Sequence, residues 1–473
     1  MSYMKDIAPL VDAKADQFCS ISDKVWEYAE SRFQEFKSCR EEADYMESQG
    51  FKVTRGIGGE DTAFVCEYGS GKPVVAILGE FDALSGLSQE ADNPVHTPIV
   101  PGGDGHGCGH NLLGGASLAA AVAVKDLMDQ GKMTGTIRYY GCPAEENAGG
   151  KAFLVREGCF KDVDIAITWH PGFMNNVDTG GSLANFRVFF TFHGLSSHAA
   201  GAPHLGRSAL DAVELMDVGV NYMREHMIDE ARIHYAIINA GGTAPNVVQS
   251  EAQVLYAIRA PKVTQVKELF ERVCDCARGA ALMTQTKVDI RQVSAYSDLV
   301  CCDVIRDKLA EHLDEVIPID YTEEELAYAA RFRDAITDLD KSNLKAIAKK
   351  IAGKDAAKVL EQPIWNFVVK TDMGPSKGST DVGDVSWVVP TAQAHIATLA
   401  AGTPGHAWQV VAQGKGSVAH KGMLAAAKVM AATACDFLSD MELVKAAKEN
   451  WLEKLDGEEY PNPLPKDLKP EIW

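Results

Sequence analysis

Three features of the sequence predict an α/β protein: a mostly parallel-sheet domain with an inserted ferredoxin-like α+β domain. Strand-like and helix-like stretches alternate through the first half of the chain, polar residues gather just past each apolar strand, and a later segment runs β-α-β-β-α-β. Residues 72–79 (KPVVAILG) read as a buried strand and 112–130 as a helix. Residues 136–141 read as a second strand, 150–158 as a short helix and 163–168 as a third strand. From about residue 183 the order becomes strand (ANFRVFFTF), helix (207–227), strand (ARIHYAIINA), strand (EAQVLYAIR), helix (263–283) and strand (KVDIRQV). A split βαβ unit closes on itself, so the expected division is 183–298 as the inserted domain and 1–182 plus 299–473 as the main one. Residues 303–361 read as charged amphipathic helices, expected to form a solvated cap with no chemistry. The chain returns to α/β character at 381–400 and ends with a helix at 421–438 and a Pro-rich tail.

The totals narrow the function. At 473 residues, with 46% hydrophobic and 24% charged residues, the composition is that of a globular protein of two or three domains. A net charge of −20 and the lack of a dense basic run argue against nucleic acid as a partner. Eleven scattered cysteines, including the adjacent pair Cys301 and Cys302, do not read as a disulfide framework and suggest a reducing compartment. The opening MSYMKDIAPLVDAKAD has no basic region followed by an apolar one. The longest apolar segment, 112–124, is rich in Gly and Ala and is expected to be too short to span a bilayer. The expectation is therefore a cytoplasmic protein with no membrane contact.

Chemistry-bearing residues concentrate where the strands end. In GGDGHGCGHN, residues His106, Cys108 and His110 recur at two-residue spacing in a Gly-rich loop before a helix. In an extended loop this spacing sends alternate side chains to one side, where Cys108 and His110 can share an ion or neighbouring ions. A phosphate cradle is the competing reading, but no Lys-Ser/Thr follows the glycines. Adjacent carboxylates Glu145 and Glu146 follow the strand TIRYYG. Such a pair is usually solvated surface, yet hydrolysis needs one carboxylate to hold metal and another to take a proton. Asp82 follows VVAILG and His170 ends VDIAITW. Sites in open α/β sheets form beyond the carboxyl ends of strands, and here several independent strand ends deliver ligand-type residues.

The ordered series EFDAL, GHGCGHN, PAEEN, DIAITWHPG, SSHAAGAPH, GGTAPNVV and GTPGHAW resembles the aminoacylase and glutamate-carboxypeptidase family of co-catalytic metallohydrolases, from the first strand to the last helix. The resemblance implies a metal-dependent amidohydrolase whose main domain is catalytic. Its metal ligands would be Cys108, His110, Glu146, His170 and His406, with Cys108 bridging two divalent ions. Glu145 would be the general base, and Asp82 would orient a ligand histidine. His198, Asn246 and Arg259 would reach a substrate carboxylate or the reacting carbonyl, often across a dimer interface. Many family members carry a histidine two residues before the Asp; here that position is Glu80, which implies the Cys-containing ligand set. The usual Asp after the second histidine of the Cys loop is Asn111 here. Residues 378–381 are expected to line the cleft; His204, His395 and His420 are expected to be structural. Ligand softness favours Zn²⁺, while the carboxylates also permit Mn²⁺. The implied substrate is a small N-acyl amino acid or dipeptide. A dipeptidase, an aminoacylase and a non-catalytic metal-binding partner stand as alternatives. Edge strands in the inserted domain imply a homodimer, and the resemblance also allows a heteromer with a related chain.

Overall fold

The computed structural model describes residues 2–472, which contain eleven strands. They are β1 (Lys52–Arg55), β2 (Phe64–Ser70), β3 (Val74–Glu80), β4 (Gly135–Cys142), β5 (Ile165–Gly172), β6 (Asn176–Val177), β7 (Ala184–His193), β8 (Arg232–Asn239), β9 (Glu251–Ala260), β10 (Lys287–Tyr296) and β11 (Thr391–Ala397). Seven of them form one sheet in the order β1-β2-β4-β3-β5-β11-β6. Its centre, β4-β3-β5-β11, is parallel, and antiparallel strands finish both edges. The fold is thus the mixed α/β arrangement with a mostly parallel central sheet that the strand–helix alternation predicts.

The apolar runs have this form because they are covered on both faces. Every residue of β3 is buried. Val75 and Ile77 point into a core shared with helices His110–Asp129 and Ser417–Ser439. Val74, Ala76 and Leu78 point the other way, into a core with Leu154, Val155, Val382 and Val385. Both long helices are rich in Ala, which lets them lie close to the sheet. They are long and apolar enough to cross a membrane by length and composition, but 83% and 78% of their apolar windows are buried inside the protein. The apolar segment 112–124, expected to be too short to span a bilayer, lies within a helix that is long enough by length and composition, and its role is that of a core helix.

The remaining four strands form an antiparallel sheet in the order β10-β7-β9-β8. One of its faces is covered by helices Ala209–Met223 and Val263–Thr284. Strand β9 shows the reason in its sequence: Ala252, Val254, Tyr256, Ile258 and Ala260 are buried on the helix side, and the intervening residues are not. Strand β8 is an edge, and most of it is exposed.

Two regions differ from the sequence-based expectation. Three helices, Met4–Asp12, Ala15–Tyr28 and Phe36–Ser48, and the hairpin β1-β2 precede the first strand read from the sequence. In the segment 303–361, helix Asp303–Val316 is a core element, not a solvated cap: Ile305, Leu309 and Leu313 recur every fourth residue and join the main apolar cluster. Helix Asp338–Ala352 does conform to expectation, burying only Leu344 and Ala348.

Leu118 sits at the middle of the buried helix with no exposed surface. Leu118→Ala is expected to cost about 2–5 kcal/mol, read as a lower urea midpoint with an unchanged slope.

Candidate metal centre

The carboxyl ends of β3, β4, β5 and β11 face one cleft, and each delivers a side chain to it. Beyond β3 lies Asp82; beyond β4 come Glu145 and Glu146; His170 is part of β5; and the loop after β11 carries His406. Cys108 lies just before helix His110–Asp129, whose first residue is His110. The turn between them depends on Gly109, which has φ +78°. A Cβ there would also lie 2.8 Å from the Pro171 ring, so the Cys loop and the end of β5 approach as only glycine allows.

The resulting geometry is compact. Cys108 Sγ lies 3.3 Å from His170 Nε2. His170 Nδ1 bonds the Pro171 carbonyl at 2.8 Å, an arrangement that fixes the proton on Nδ1 and turns the Nε2 lone pair toward Cys108. Burial, then the neighbouring His110 and His395, push His170 down to about 4, which keeps the ring neutral. His110 Nδ1 bonds Asp82 Oδ1 at 2.8 Å. Its Nε2 is buried with no hydrogen-bond partner, 3.2 Å from Glu80 Oε2 and 3.8 Å from Glu146 Oε1. His406 Nε2 approaches Glu146 Oε2 at 3.6 Å. His406 adopts φ +53°, and its backbone N–H donates to the Gly107 carbonyl, which brings this loop against the Cys loop.

Ligand atoms of Cys108, His110 and His170 lie within 4.8 Å of one another, as do those of Cys108, Glu146 and His406. Cys108 belongs to both groups, so the two meet at its sulfur. Two potential ligand atoms, His110 Nε2 and Glu146 Oε1, are buried without hydrogen-bond partners among the described residues. An imidazole nitrogen, a thiol and a carboxylate oxygen converging in this way are a donor set suited to divalent ions. The electrostatics agree. Burial, then Glu146, push the Cys108 thiol well up, and burial, then Glu80, Glu146 and Asp381, push Glu145 well above the ordinary carboxylate range. Acids buried and crowded in this way are driven toward their neutral forms, a penalty that a nearby cation would relieve.

Glu80 is the residue whose surroundings the sequence did not disclose. It joins His110 and Glu145 in a third group of the same compactness. Against the penalty of burial, Lys151, then His110, hold Glu80 in its charged form. The Lys151 ammonium has no exposed surface and bridges Glu80 Oε1 at 2.5 Å and Asp381 Oδ1 at 2.7 Å. No local signal marks Lys151, which reads as an ordinary residue of a short helix; its partners lie 71 and 230 positions away.

Of the other residues singled out from sequence, His106 turns from the cluster and bonds the Val25 carbonyl at 3.0 Å. Asn111 ties the helix to Ser22 and the Gly414 carbonyl. His420 pairs with Asp23 at 2.9 Å, a structural contact. His395 pairs with Asp178 at 2.9 Å but lies beside the site, its ring 5.8 Å from that of His170. Arg259 is half-buried on β9 and within electrostatic reach of Glu145 and Glu146. His198 and Asn246 are exposed on neighbouring loops of the four-stranded unit; His198 Nδ1 accepts from the Ala200 and Gly201 amides, and the Asn246 carbonyl accepts from Ala199. Among the described residues, neither bonds the Cys108 cluster.

Comparisons with known proteins bear on this geometry. The profile of peptidase family M20/M25/M40 matches residues 76–392. The chain is 45% identical over 468 residues to one of the subunits of the p-aminobenzoyl-glutamate hydrolase of Escherichia coli strain K12, covering 97% of each chain. It is 27% identical over 468 residues to the Xaa-Arg dipeptidase of Mus musculus, covering 96% of this chain and 93% of the relative. Among solved structures, a Bacillus subtilis protein described as a dinuclear metal binding peptidase from the M20 family superposes with a TM-score of 0.55 at 15% identity, over 90% of this chain and 99% of its own.

Lys151→Ala strands two buried carboxylates, Glu80 and Asp381. The expected loss is about 3–5 kcal/mol of stability, measured by chemical denaturation of the metal-free protein.

Proposed function

We propose p-aminobenzoyl-glutamate as the substrate, on the premise that this chain belongs to peptidase family M20/M25/M40 and is a hydrolase of amide bonds. The products would be p-aminobenzoate and glutamate. The observation that carries the reading is a carboxylate to spare: Cys108, His110, Glu146, His170 and His406 suffice as ligands for two ions, and Glu145 stands beside them, buried and raised. A purely structural metal site has no use for it. The 45% identical relative, matched end to end, supplies the substrate.

Bound by these five residues, two divalent ions, Zn²⁺ or Mn²⁺, would polarise the amide carbonyl and acidify water. The chain's own groups do the rest. Glu145 takes a proton from the attacking water as its oxygen bonds the carbonyl carbon. The C–N bond then breaks, and Glu145 returns the proton to the departing nitrogen, so the amino acid leaves as an amine and the ring carbonyl as a carboxylic acid, which loses its remaining proton to solvent. Asp82 holds His110 in the tautomer that leaves Nε2 free for metal. Arg259 holds the free carboxylate of the amino acid, since a guanidinium fork matches that group in two parallel hydrogen bonds.

We assign residues 183–298 as a separate lid and dimerisation domain within a main domain of 1–182 plus 299–473. Among the described residues the outer edge of β8 is unpaired, and Tyr235, Ile237 and Ile238 on it are exposed. Leu215, Val218 and Tyr222 form an exposed apolar stripe at helical spacing on the adjoining helix Ala209–Met223. A second copy covering this surface would extend the sheet and bring its own His198 and Asn246 toward this chain's cleft, where His198 stabilises the oxyanion. A heteromer with a related chain is the alternative pairing, raised by the bacterial relative's description as part of a hydrolase with more than one kind of chain.

The deciding assay compares turnover of p-aminobenzoyl-glutamate, N-acetyl amino acids and Xaa-Arg dipeptides. Hydrolysis confined to the dipeptides would overturn the substrate and favour the activity named for the murine relative. Glu145→Gln is expected to retain two metal equivalents by elemental analysis while losing about 10²–10⁴-fold in kcat. Full turnover in that variant would overturn the base. Ile237→Lys places a charge on the exposed edge and is expected to convert a dimer into monomers by light scattering.

A further inference from the structure

On the open face of the four-stranded sheet, one cross-strand row contains Arg259, Asn185 and Tyr296. Asn185 of β7 pairs with Arg259 of β9 on one side and Tyr296 of β10 on the other. Residues directly opposite in antiparallel strands share a face, with Cβ atoms roughly 5 Å apart. This row meets the catalytic loop: the Tyr296 hydroxyl donates to the Glu145 carbonyl at 2.8 Å. Two residues along the same face of β7, Arg187 donates to the Glu146 carbonyl and to Asn147.

The row contains an unmet demand. Asn185 has no exposed surface, and among the described residues both its Nδ2 and its Oδ1 lack hydrogen-bond partners. Arg259 Nε is likewise buried and unpartnered. A buried amide with neither end bonded carries the full desolvation penalty of both groups, and native proteins keep few of them. Here the unused acceptor and the unused donor are cross-strand neighbours. Each offers the group that the other lacks, from opposed positions on neighbouring strands.

We propose that Asn185 is a positioning residue for Arg259: when a carboxylate engages the terminal nitrogens of the guanidinium, Asn185 Oδ1 accepts the Nε–H and fixes the plane and direction of the fork. Binding the carboxylate then satisfies two groups that are unpaired in the free protein. A guanidinium free to rotate would present its fork in many orientations, whereas one held at Nε presents both terminal nitrogens along a single line. The inference rests on the reading of Arg259 as the holder of the substrate carboxylate.

Two variants of Asn185 separate this role from a merely structural one. Asn185→Leu keeps the γ-branched shape and the number of heavy atoms but has no acceptor. Because the native amide is unbonded, the variant is expected to melt no lower than wild type, yet to raise KM for p-aminobenzoyl-glutamate and weaken calorimetric binding of L-glutamate by about tenfold, with kcat nearly unchanged. Asn185→Asp offers Arg259 a permanent internal carboxylate. It is expected to bind L-glutamate more weakly still while melting higher. For an analogue with the free carboxylates capped as amides, all three proteins should share one KM.

Unchanged L-glutamate binding and KM in both variants would overturn the proposal, as would a fall in kcat and melting temperature with no change in KM. A wild-type protein that binds no L-glutamate removes the carboxylate subsite and the proposal with it. A wild type that binds L-glutamate, with the expected weakening in the variants, but does not cleave p-aminobenzoyl-glutamate overturns only the substrate and leaves the role of Asn185 standing.

Discussion

The site depends on one carboxylate. Asp82 accepts the His110 Nδ1 proton with Oδ1 and the Glu146 backbone amide with Oδ2, at 2.8 and 2.9 Å. Two segments that come from different crossings of the sheet are thereby tied to a third. The first bond sets the rotation and tautomer of His110; the second anchors the Glu145–Glu146 turn so that the two glutamates separate into different environments. Burial disfavours a charged Asp82, but His110, through its charge and its hydrogen bond, and the Glu146 amide more than offset that penalty and hold the group below its usual pKa. An Asp at the end of a central strand can do this because it is enclosed on all sides and has one position.

Around that anchor the charge balance is unequal. Glu80, Asp82, Glu145, Glu146, Asp381 and the Cys108 thiol gather in a buried volume, and Lys151 is the cation that pairs with two of them. Lys151 accounts for Glu80 and Asp381. It leaves the Cys108 and Glu146 side untouched, where two groups of converging ligand atoms share the Cys108 sulfur. The structure thus divides its acids into those neutralised by a fixed ammonium and those gathered with the candidate metal ligands. Glu145 falls between the two sets, close to both, which suits the proton-carrying role proposed for it.

How much of this could be read from the residues depends on the range of the interaction. The parallel centre of the sheet was legible because apolar runs covered on both faces have no polar interruption, as in the fully buried β3. The four-stranded unit was legible because β9 alternates strictly and the helices keep their period. Asp82, Cys108, His110, Glu145, Glu146 and His170 could be suspected because each sits at or just beyond a strand end or in the Gly-rich loop. Helix Asp303–Val316 departs from its sequence reading because a helix with charges on most of its surface needs only a narrow apolar stripe, Ile305, Leu309 and Leu313, to be a core element. Lys151 and Asn185 escape notice in the sequence because a lysine in a short helix and an asparagine in a strand look like surface residues until their surroundings are known.

By itself the sequence determined the layers, the strands that carry ligand-type residues and the family to which the motifs point, because periodicity and strand-end chemistry are local properties. The tertiary structure alone decided which nitrogen of His110 is free, which acid Lys151 neutralises, that His106 turns away, and that Asn185 stands opposite Arg259. Those outcomes follow from strand register and from distances between residues far apart in the chain. A shift of register by one residue would reverse the face on which each strand side chain projects, without changing a letter of the sequence.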